Sequence, residues 1–133
     1  MRSMHAGLGA SSERNADIFF HELLGLSKHG PAVLPAELCR GVFGINRELT
    51  VFNYKAEGIH YEVFIDPAFR GGAPTVVHTC LEVEGLEEFL KRCAEKRICV
   101  SRTPKGDSFV IFISDLDGNL YEIKERKASG SPP

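Results

Sequence analysis

The sequence predicts an α+β fold in which one supersecondary unit, βαβββ, occurs twice, over residues 4–66 and 76–125. Each half contains segments in which apolar and polar residues alternate, as they do in half-buried strands. Each half also contains one segment with apolar residues at i, i+3, i+4, i+7 and i+8, the pattern of an amphipathic helix. A stretch rich in glycine and proline, residues 66–74, lies between the halves and is the best candidate for a linker.

The first half begins with a predicted strand over residues 5–9. A helix follows, capped by Ser11 or Ser12 and ended by Gly25. Its apolar stripe consists of Ala16, Phe19, Phe20, Leu23 and Leu24. Residues 27–47 are rich in glycine and proline, so we expect a loop with one helical turn near 36–40 and a short strand at 42–45. Alternating patterns then predict strands over 48–54 and 59–66.

The second half repeats this order. A strand over 76–83 precedes a helix whose apolar stripe is Leu86, Phe89, Leu90, Cys93 and Ala94. Three strands follow, at 99–103, 109–113 and 120–124, and Asp-Gly-Asn at 117–119 favours a tight turn before the last of them. We therefore expect a single domain over residues 1–127. The Ala-Ser-Gly-Ser-Pro-Pro tail, 128–133, is predicted to be disordered.

The composition limits the classes of binding partner and the cellular compartment that the sequence predicts. The chain has 133 residues, 43% of them hydrophobic and 26% charged, with a formal net charge of -2 and both signs mixed along the sequence. This charge pattern predicts neither a nucleic-acid partner nor a membrane partner. Runs such as 109–113 are far shorter than the ~20 apolar residues of a membrane span. The four cysteines form no C-x-x-C pair, which favours a reduced, cytoplasmic protein over one with disulfides.

Two histidines and two glutamates occupy matching places in the two halves. His5 and His78 lie in the first predicted strand of each half, and Glu62 and Glu122 lie in the last. Because side chains alternate along a strand, each of the four points away from its strand's packing residues. Imidazole and carboxylate groups together suit a divalent metal site. The alternative is that the histidines are structural and the glutamates simply face water.

Residues 115–125 resemble the turn and strand that close domains of the vicinal oxygen chelate superfamily, which includes glyoxalases, bleomycin-resistance proteins and extradiol dioxygenases. Leu116 stands where that family usually has proline, and Leu24-Gly25-Leu26 is similar to the family's helix ending. The resemblance implies that the two modules join their sheets into a half-open, barrel-like mixed sheet with the helices on the outer face. It also implies a divalent ion on the concave face.

Within that superfamily the His, Glu, His, Glu set is most similar to glyoxalase I. By this resemblance His5, Glu62, His78 and Glu122 bind one divalent ion, namely Ni, Zn, Fe(II), Co or Mn. It further implies a lyase or isomerase reaction through a metal-stabilised enediolate, with Glu122 as the first candidate for the base and Glu62 as the second. A homodimer is expected, with the site either within one chain or shared between two. The candidate substrate-binding residues are His60, Phe64, Phe52 and Tyr54, although the aromatic residues could instead belong to the core.

The sequence also departs from glyoxalase I. The family's Thr-x-Asn run after the first glutamate is replaced by residues 63–66, Val-Phe-Ile-Asp, and glycines at 7 and 9 stand near the place of its first-strand arginine. We therefore expect a small hydroxy-carbonyl or thiol-adduct substrate other than the glutathione adduct. The alternatives are an extradiol-type dioxygenase, a thiol transferase or a non-enzymatic drug-binding protein of the bleomycin-resistance type. Three basic residues either bind an anionic group of the substrate or are ordinary surface charges: Arg70, Arg102 and Lys105.

Overall fold

The computed structural model describes residues 1–72 and 75–127, and the chain divides into two compact units between Gly71 and Gly72. We call these units module 1 and module 2. Each contains one four-stranded, mixed sheet that is not closed on itself. Module 2 follows the order strand, helix, strand, strand, strand, and module 1 follows it with one extra helix between its second and third strands. The predicted α+β fold of two βαβββ modules is confirmed.

Module 1 has the strand order β1-β4-β3-β2, in which β1 runs parallel to β4 and the other pairs are antiparallel. Its strands are β1 (Ala6–Ala10), β2 (Ser27–Leu34), β3 (Leu49–Ala56) and β4 (Ile59–Ile65). Its first helix, α1 (Glu13–Ala16), continues directly as a π-helical segment (Asp17–Leu23). A second helix, α2 (Ala36–Phe43), lies between β2 and β3.

Module 2 repeats the arrangement with the order β5-β8-β7-β6, again with the first and last strands parallel. Its strands are β5 (His78–Val83), β6 (Val100–Lys105), β7 (Ser108–Ser114) and β8 (Leu120–Glu125). One helix, α3 (Leu86–Glu95), connects β5 and β6. Each strand predicted in this half is present, with its ends shifted by at most two residues.

The prediction for residues 27–47 is wrong in two respects. An edge strand, β2, replaces the expected loop, and α2 runs through Phe43 where a strand was expected at 42–45. The strand tolerates Pro31 because it lies at the sheet edge, where its register shifts between His29 and Ala32. Most residues of β2 are exposed, so its sequence lacks the alternation of apolar and polar residues that predicts a half-buried strand. The extra helix ends at Gly44, whose φ of 70° lies in the left-handed region.

The first helix begins as predicted at a serine cap. The Ser12 hydroxyl accepts a hydrogen bond from the backbone N–H of Asn15 at 3.1 Å. The later turns are wider than an α-helix, because the Leu24 N–H donates to the Phe19 carbonyl, five residues earlier. Gly25 follows with a φ of 72°, so the helix ends where the sequence indicated.

The core of module 1 lies between this helix and the sheet. Phe20 places its ring 5.2 Å from both Tyr54 and Tyr61, measured between ring centroids. The Tyr54 hydroxyl donates to Asp17 Oδ1 at 2.8 Å, and Lys28 Nζ lies 2.9 Å from the same oxygen. Burial alone would raise the pKa of Asp17, but the hydrogen bonds from Lys28 and Tyr54 lower it. These contacts fix which face of the sheet meets the helix.

Module 2 has a corresponding core. Phe89 and Cys93 on α3 are buried, and burial raises the pKa of the Cys93 thiol to about 11. The buried apolar residues of its sheet are Leu81, Ile111, Ile113, Tyr121 and Ile123. They occupy alternate positions of their strands, so one sheet face packs against α3 and the other lies away from it.

The turn before β8 is organised around the buried carboxylate of Asp115. Its oxygens accept hydrogen bonds from the backbone N–H groups of Asp117 and Asn119 and from the Tyr121 hydroxyl, at 2.9 to 3.0 Å. Burial raises the pKa of Asp115, while these hydrogen bonds oppose the rise. The bond to Tyr121 turns that side chain into the core. The next residue, Glu122, consequently points to the opposite face.

Two sequence predictions concern residues that the structure does not describe. The tail at 128–133 and the linker positions 73 and 74 lie outside the described ranges. Within those ranges, no helix has the length and apolar character needed to cross a membrane.

Candidate functional site

In module 1 the face of the sheet away from the helix carries one of the predicted histidine–glutamate pairs. Glu62 lies in β4, directly beside Gly7 of the parallel strand β1. His5 comes just before β1, and its Nε2 lies 3.4 Å from Glu62 Oε1. The two side chains are 42% and 29% exposed, so the pair is open to a ligand.

A second polar pair lies beside the first. His60 shares the Glu62 face of β4, and its ring centroid is 5.5 Å from that of His5. Its Nε2 lies 2.6 Å from Oδ1 of Asn53, which is the β3 partner of Glu62. Burial lowers the pKa of His60, and the charges of Lys55 and His5 lower it further. Sequence reasoning missed Asn53, since its place beside Glu62 depends on the pairing of β3 with β4.

The predicted substrate-binding aromatic residues divide between the two faces. Phe64 lies on the Glu62 face, where its ring is 5.1 Å from that of Phe43. Tyr54 is fully buried and Phe52 is 5% exposed, and both occupy the helix face of β3. The Tyr54 hydroxyl is held there by Asp17, so the structure places Phe52 and Tyr54 in the core, which was the alternative that the sequence left open for them.

In module 2 the equivalent face carries the other histidine–glutamate pair. His78 begins β5 and Glu122 lies in β8, with His78 Nε2 3.9 Å from Glu122 Oε2. The His78 Nδ1 lies 2.8 Å from the Val76 carbonyl oxygen, which orients the ring. The Phe112 ring meets the His78 ring edge-on at 5.2 Å between centroids. Lys124 places its Nζ 3.8 Å from Glu122 Oε1.

The two pairs occupy equivalent positions in the repeat. Glu62 lies beside Gly7 in one module, and Glu122 lies beside Cys80 in the other. The antiparallel neighbour differs as well, being Asn53 for Glu62 and Phe112 for Glu122. The histidine–glutamate pair is therefore repeated in a setting that is polar in module 1 and more apolar in module 2.

The donor atoms of each pair fit a divalent ion. Nitrogen and oxygen ligands bind such ions at about 2.1 Å, so two ligands of one ion lie roughly 3 to 4 Å apart. Separations of 3.4 and 3.9 Å agree with that range. The structure brings the four predicted ligands together as two pairs. Among the residues it describes, it forms no group of three or more His, Cys, Asp or Glu side chains that could hold a metal ion.

Comparison with solved structures identifies proteins of the same fold. A glyoxalase family protein from Enterococcus faecalis has a TM-score of 0.70 and 20% identity, with 92% of this chain and 95% of that chain covered. The fosfomycin resistance protein FosX from Listeria monocytogenes has a TM-score of 0.70 and 11% identity, with 96% and 94% covered. A glyoxalase/dioxygenase from Nostoc punctiforme has a TM-score of 0.63 and 16% identity, with 93% and 90% covered.

Glyoxalase and glyoxalase/dioxygenase proteins thus share the fold of this chain, and the predicted resemblance is confirmed at the level of the fold. No family model matches the sequence, and no curated protein sequence matches it. Identities of 8% to 20% establish the fold alone. The activity therefore has to be argued from the residues of this chain.

Proposed function

We propose that this protein is a metal-dependent lyase or isomerase of the glyoxalase type. The observation that carries the proposal is the recurrence of one histidine–glutamate pair at equivalent positions, on the sheet face opposite α1 in module 1 and opposite α3 in module 2. One histidine near a glutamate in a β-sheet is common in proteins. The same pair at the same register in both repeats favours a common function for the two pairs. The fold common to glyoxalase family proteins supports this class of activity.

In this proposal His5, Glu62, His78 and Glu122 hold one divalent ion, namely Ni, Zn, Fe(II), Co or Mn. The set contains two imidazole nitrogens and two carboxylates, and no thiolate, which suits these ions. When bound, the ion supplies Lewis-acid stabilisation of the negative charge on the enediolate oxygens of a hydroxy-carbonyl substrate. The site is completed either within one chain or by the partner in a homodimer. Light scattering combined with metal analysis tests this choice, because a monomer with full metal content excludes a shared site.

The proton transfer is assigned to a glutamate, Glu122 first and Glu62 second. The carboxylate accepts the proton from the carbon next to the carbonyl, and the electrons of that C–H bond form the carbon–carbon double bond of the enediolate. The same carboxylate then returns the proton to the neighbouring carbon, which completes an isomerisation without any oxidant. Glu122 has Lys124 near one oxygen and His78 near the other.

The substrate is proposed to be a small, partly apolar hydroxy-carbonyl compound or thiol adduct. Phe64 lies on the Glu62 face and Phe112 lies beside His78, so an aromatic ring adjoins each pair. The sequence lacks the glyoxalase I features expected to recognise glutathione. We therefore expect weak or no formation of lactoylglutathione from the methylglyoxal hemithioacetal.

Metal binding is the first test. His78→Ala and Glu122→Ala should each weaken the affinity for a divalent ion by about 100-fold or more, since a ligand contributes more than the outer-shell groups whose loss costs 10- to 100-fold. Glu82→Ala is the matched control, because it removes a carboxylate from the same face of the neighbouring strand β5. Elemental analysis of protein purified without chelator and calorimetric titration give the result, and circular dichroism checks the fold. Parent-like affinity in both ligand variants would place the metal elsewhere.

Catalysis is tested with the metal-loaded protein. Metal-dependent exchange of solvent deuterium into a panel of hydroxy-carbonyl compounds should occur, and Glu122→Gln should slow it by about 10² to 10⁴, the usual contribution of a general base. If Glu62→Gln slows the exchange more than Glu122→Gln does, Glu62 is the base in place of Glu122. Robust lactoylglutathione formation would instead indicate a plain glyoxalase I. No activity in either assay would favour the dioxygenase, thiol-transferase or drug-binding alternatives.

A further inference from the structure

Module 2 contains a cleft of about 460 Å³ between the β6–β7 hairpin and the end of β8. Its size lies within the usual range for small-molecule sites, about 300 to 1,000 Å³. Strand pairing explains how it forms. The ladder between β7 and β8 ends at Ile111 and Ile123, so β7 continues toward the hairpin turn without pairing to the last residues of β8.

Three basic residues line this cleft: Arg102 and Lys105 on β6, and Lys124 on β8. Two acidic residues, Glu122 and Glu125, also line it. Both acids already have partners. Glu125 accepts a hydrogen bond from the backbone N–H of Leu86 at 2.7 Å, and Glu122 lies 3.8 Å from Lys124 Nζ. The lining thus carries one more positive than negative charge.

The excess positive charge of the lining comes from β6, which carries Arg102 and Lys105. Among the residues that the structure describes, neither Arg102 nor Lys105 forms an ion pair. The Arg102 guanidinium lies over the Phe109 ring, 5.4 Å from its centroid, which limits its motion and leaves its N–H groups available. Asp107 in the hairpin turn is the nearest acid in sequence, and it does not line the cleft.

We propose that this cleft binds the anionic group of a small acid, with Arg102 and Lys105 as its main contacts. A guanidinium can bind a carboxylate or a phosphate through two parallel hydrogen bonds, and an ammonium adds a compact charge. Arg102 pairs with Ile111, whose partner on β8 is Ile123, so Arg102 lies on the sheet face that packs against α3, opposite to the face of the Glu122 carboxylate. The anion site is therefore separate from the proposed proton-transfer site, and the inference does not depend on that site.

The test uses metal-free, ¹⁵N-labelled protein, so that its outcome is independent of metal binding and catalysis. Inorganic phosphate and acetate are titrated separately at low ionic strength, and amide spectra are recorded. One or both anions should cause saturable shifts at residues 102–110 and 122–125. The two titrations distinguish a tetrahedral from a planar oxyanion. Binding should weaken when sodium chloride is raised from about 20 to 200 mM, because salt screens exposed charges.

Charge-removing variants identify the contacts. Arg102→Gln and Lys105→Gln should each raise the dissociation constant of the anion by about threefold to tenfold. Lys91→Gln is the matched control, since it removes one exposed positive charge from α3, where Lys91 pairs with Glu88. It should change the constant by less than about 1.5-fold. The proposal is overturned if neither anion causes saturable shifts by about 100 mM, or if the control weakens binding as much as the cleft variants do.

Discussion

Tyr54→Phe offers a direct test of what holds the sheet of module 1 to its helix. The substitution removes one hydroxyl from a fully buried ring and leaves the packing with Phe20 in place. Hydrogen bonds to charged groups contribute about 1.5 to 3 kcal/mol. Asp17 keeps Lys28 and is 27% exposed, so water can replace the lost donor and the lower value applies. We expect a loss of about 1.5 kcal/mol, which for this chain length lowers Tm by roughly 6 °C.

Urea unfolding at pH 7, followed by circular dichroism, measures this loss. A double-mutant cycle with Asp17→Asn should give a coupling of about 1 kcal/mol, because asparagine still accepts the hydroxyl but carries no charge. Asp17 has a lowered pKa in the folded protein, so its contribution is present above the ordinary value of 3.8 and is lost as the pH falls through the lower folded value. The difference between parent and Tyr54→Phe should therefore persist at pH 5. Additive effects of the two substitutions, or a difference that disappears between pH 7 and 5, would refute the reasoning.

Two further predictions concern crowding and thiol access. A Cβ at Gly9 would overlap the Phe69 ring, so Gly9→Ala should lower the free energy of unfolding by about 1 to 3 kcal/mol in the same urea assay. A Cβ at Gly41, in α2, would meet nothing within 4 Å, so Gly41→Ala should be neutral or stabilising. Equal effects of the two substitutions would contradict this account. In native protein Cys80 and Cys99 should react with a thiol reagent within minutes while the two buried cysteines react only on unfolding, and four fast thiols would contradict the burial.

The sequence predicted best where one face of a strand is buried. Strand β4 has buried Tyr61 and Val63 alternating with less buried residues, so its extent and the outward direction of Glu62 could be read from the chain. Edge strand β2 gave no such signal because it is mostly exposed and contains Pro31. Local patterns cannot identify a strand whose stability comes from pairing with its neighbour β3.

The site shows the same division between local and non-local information. The position of each candidate ligand on its strand follows from a period of two. The structure places the four residues as two pairs, and their binding of one ion stays a prediction. The role of Asn53 depends on its pairing with β4, and the cleft beside Arg102 depends on where the β7–β8 ladder stops. Neither feature has a signature in the order of residues alone.

The divergence of the repeat bears on how the proposed reaction is divided between modules. Around Glu62 the neighbouring strands supply polar groups, including Asn53 and its partner His60. Around Glu122 they supply Phe112 and the thiol of Cys80. In the proposed reaction this difference favours Glu122 as the base, and the hydrogen-bonded surroundings of Glu62 make that pair the more rigid half of the proposed metal site.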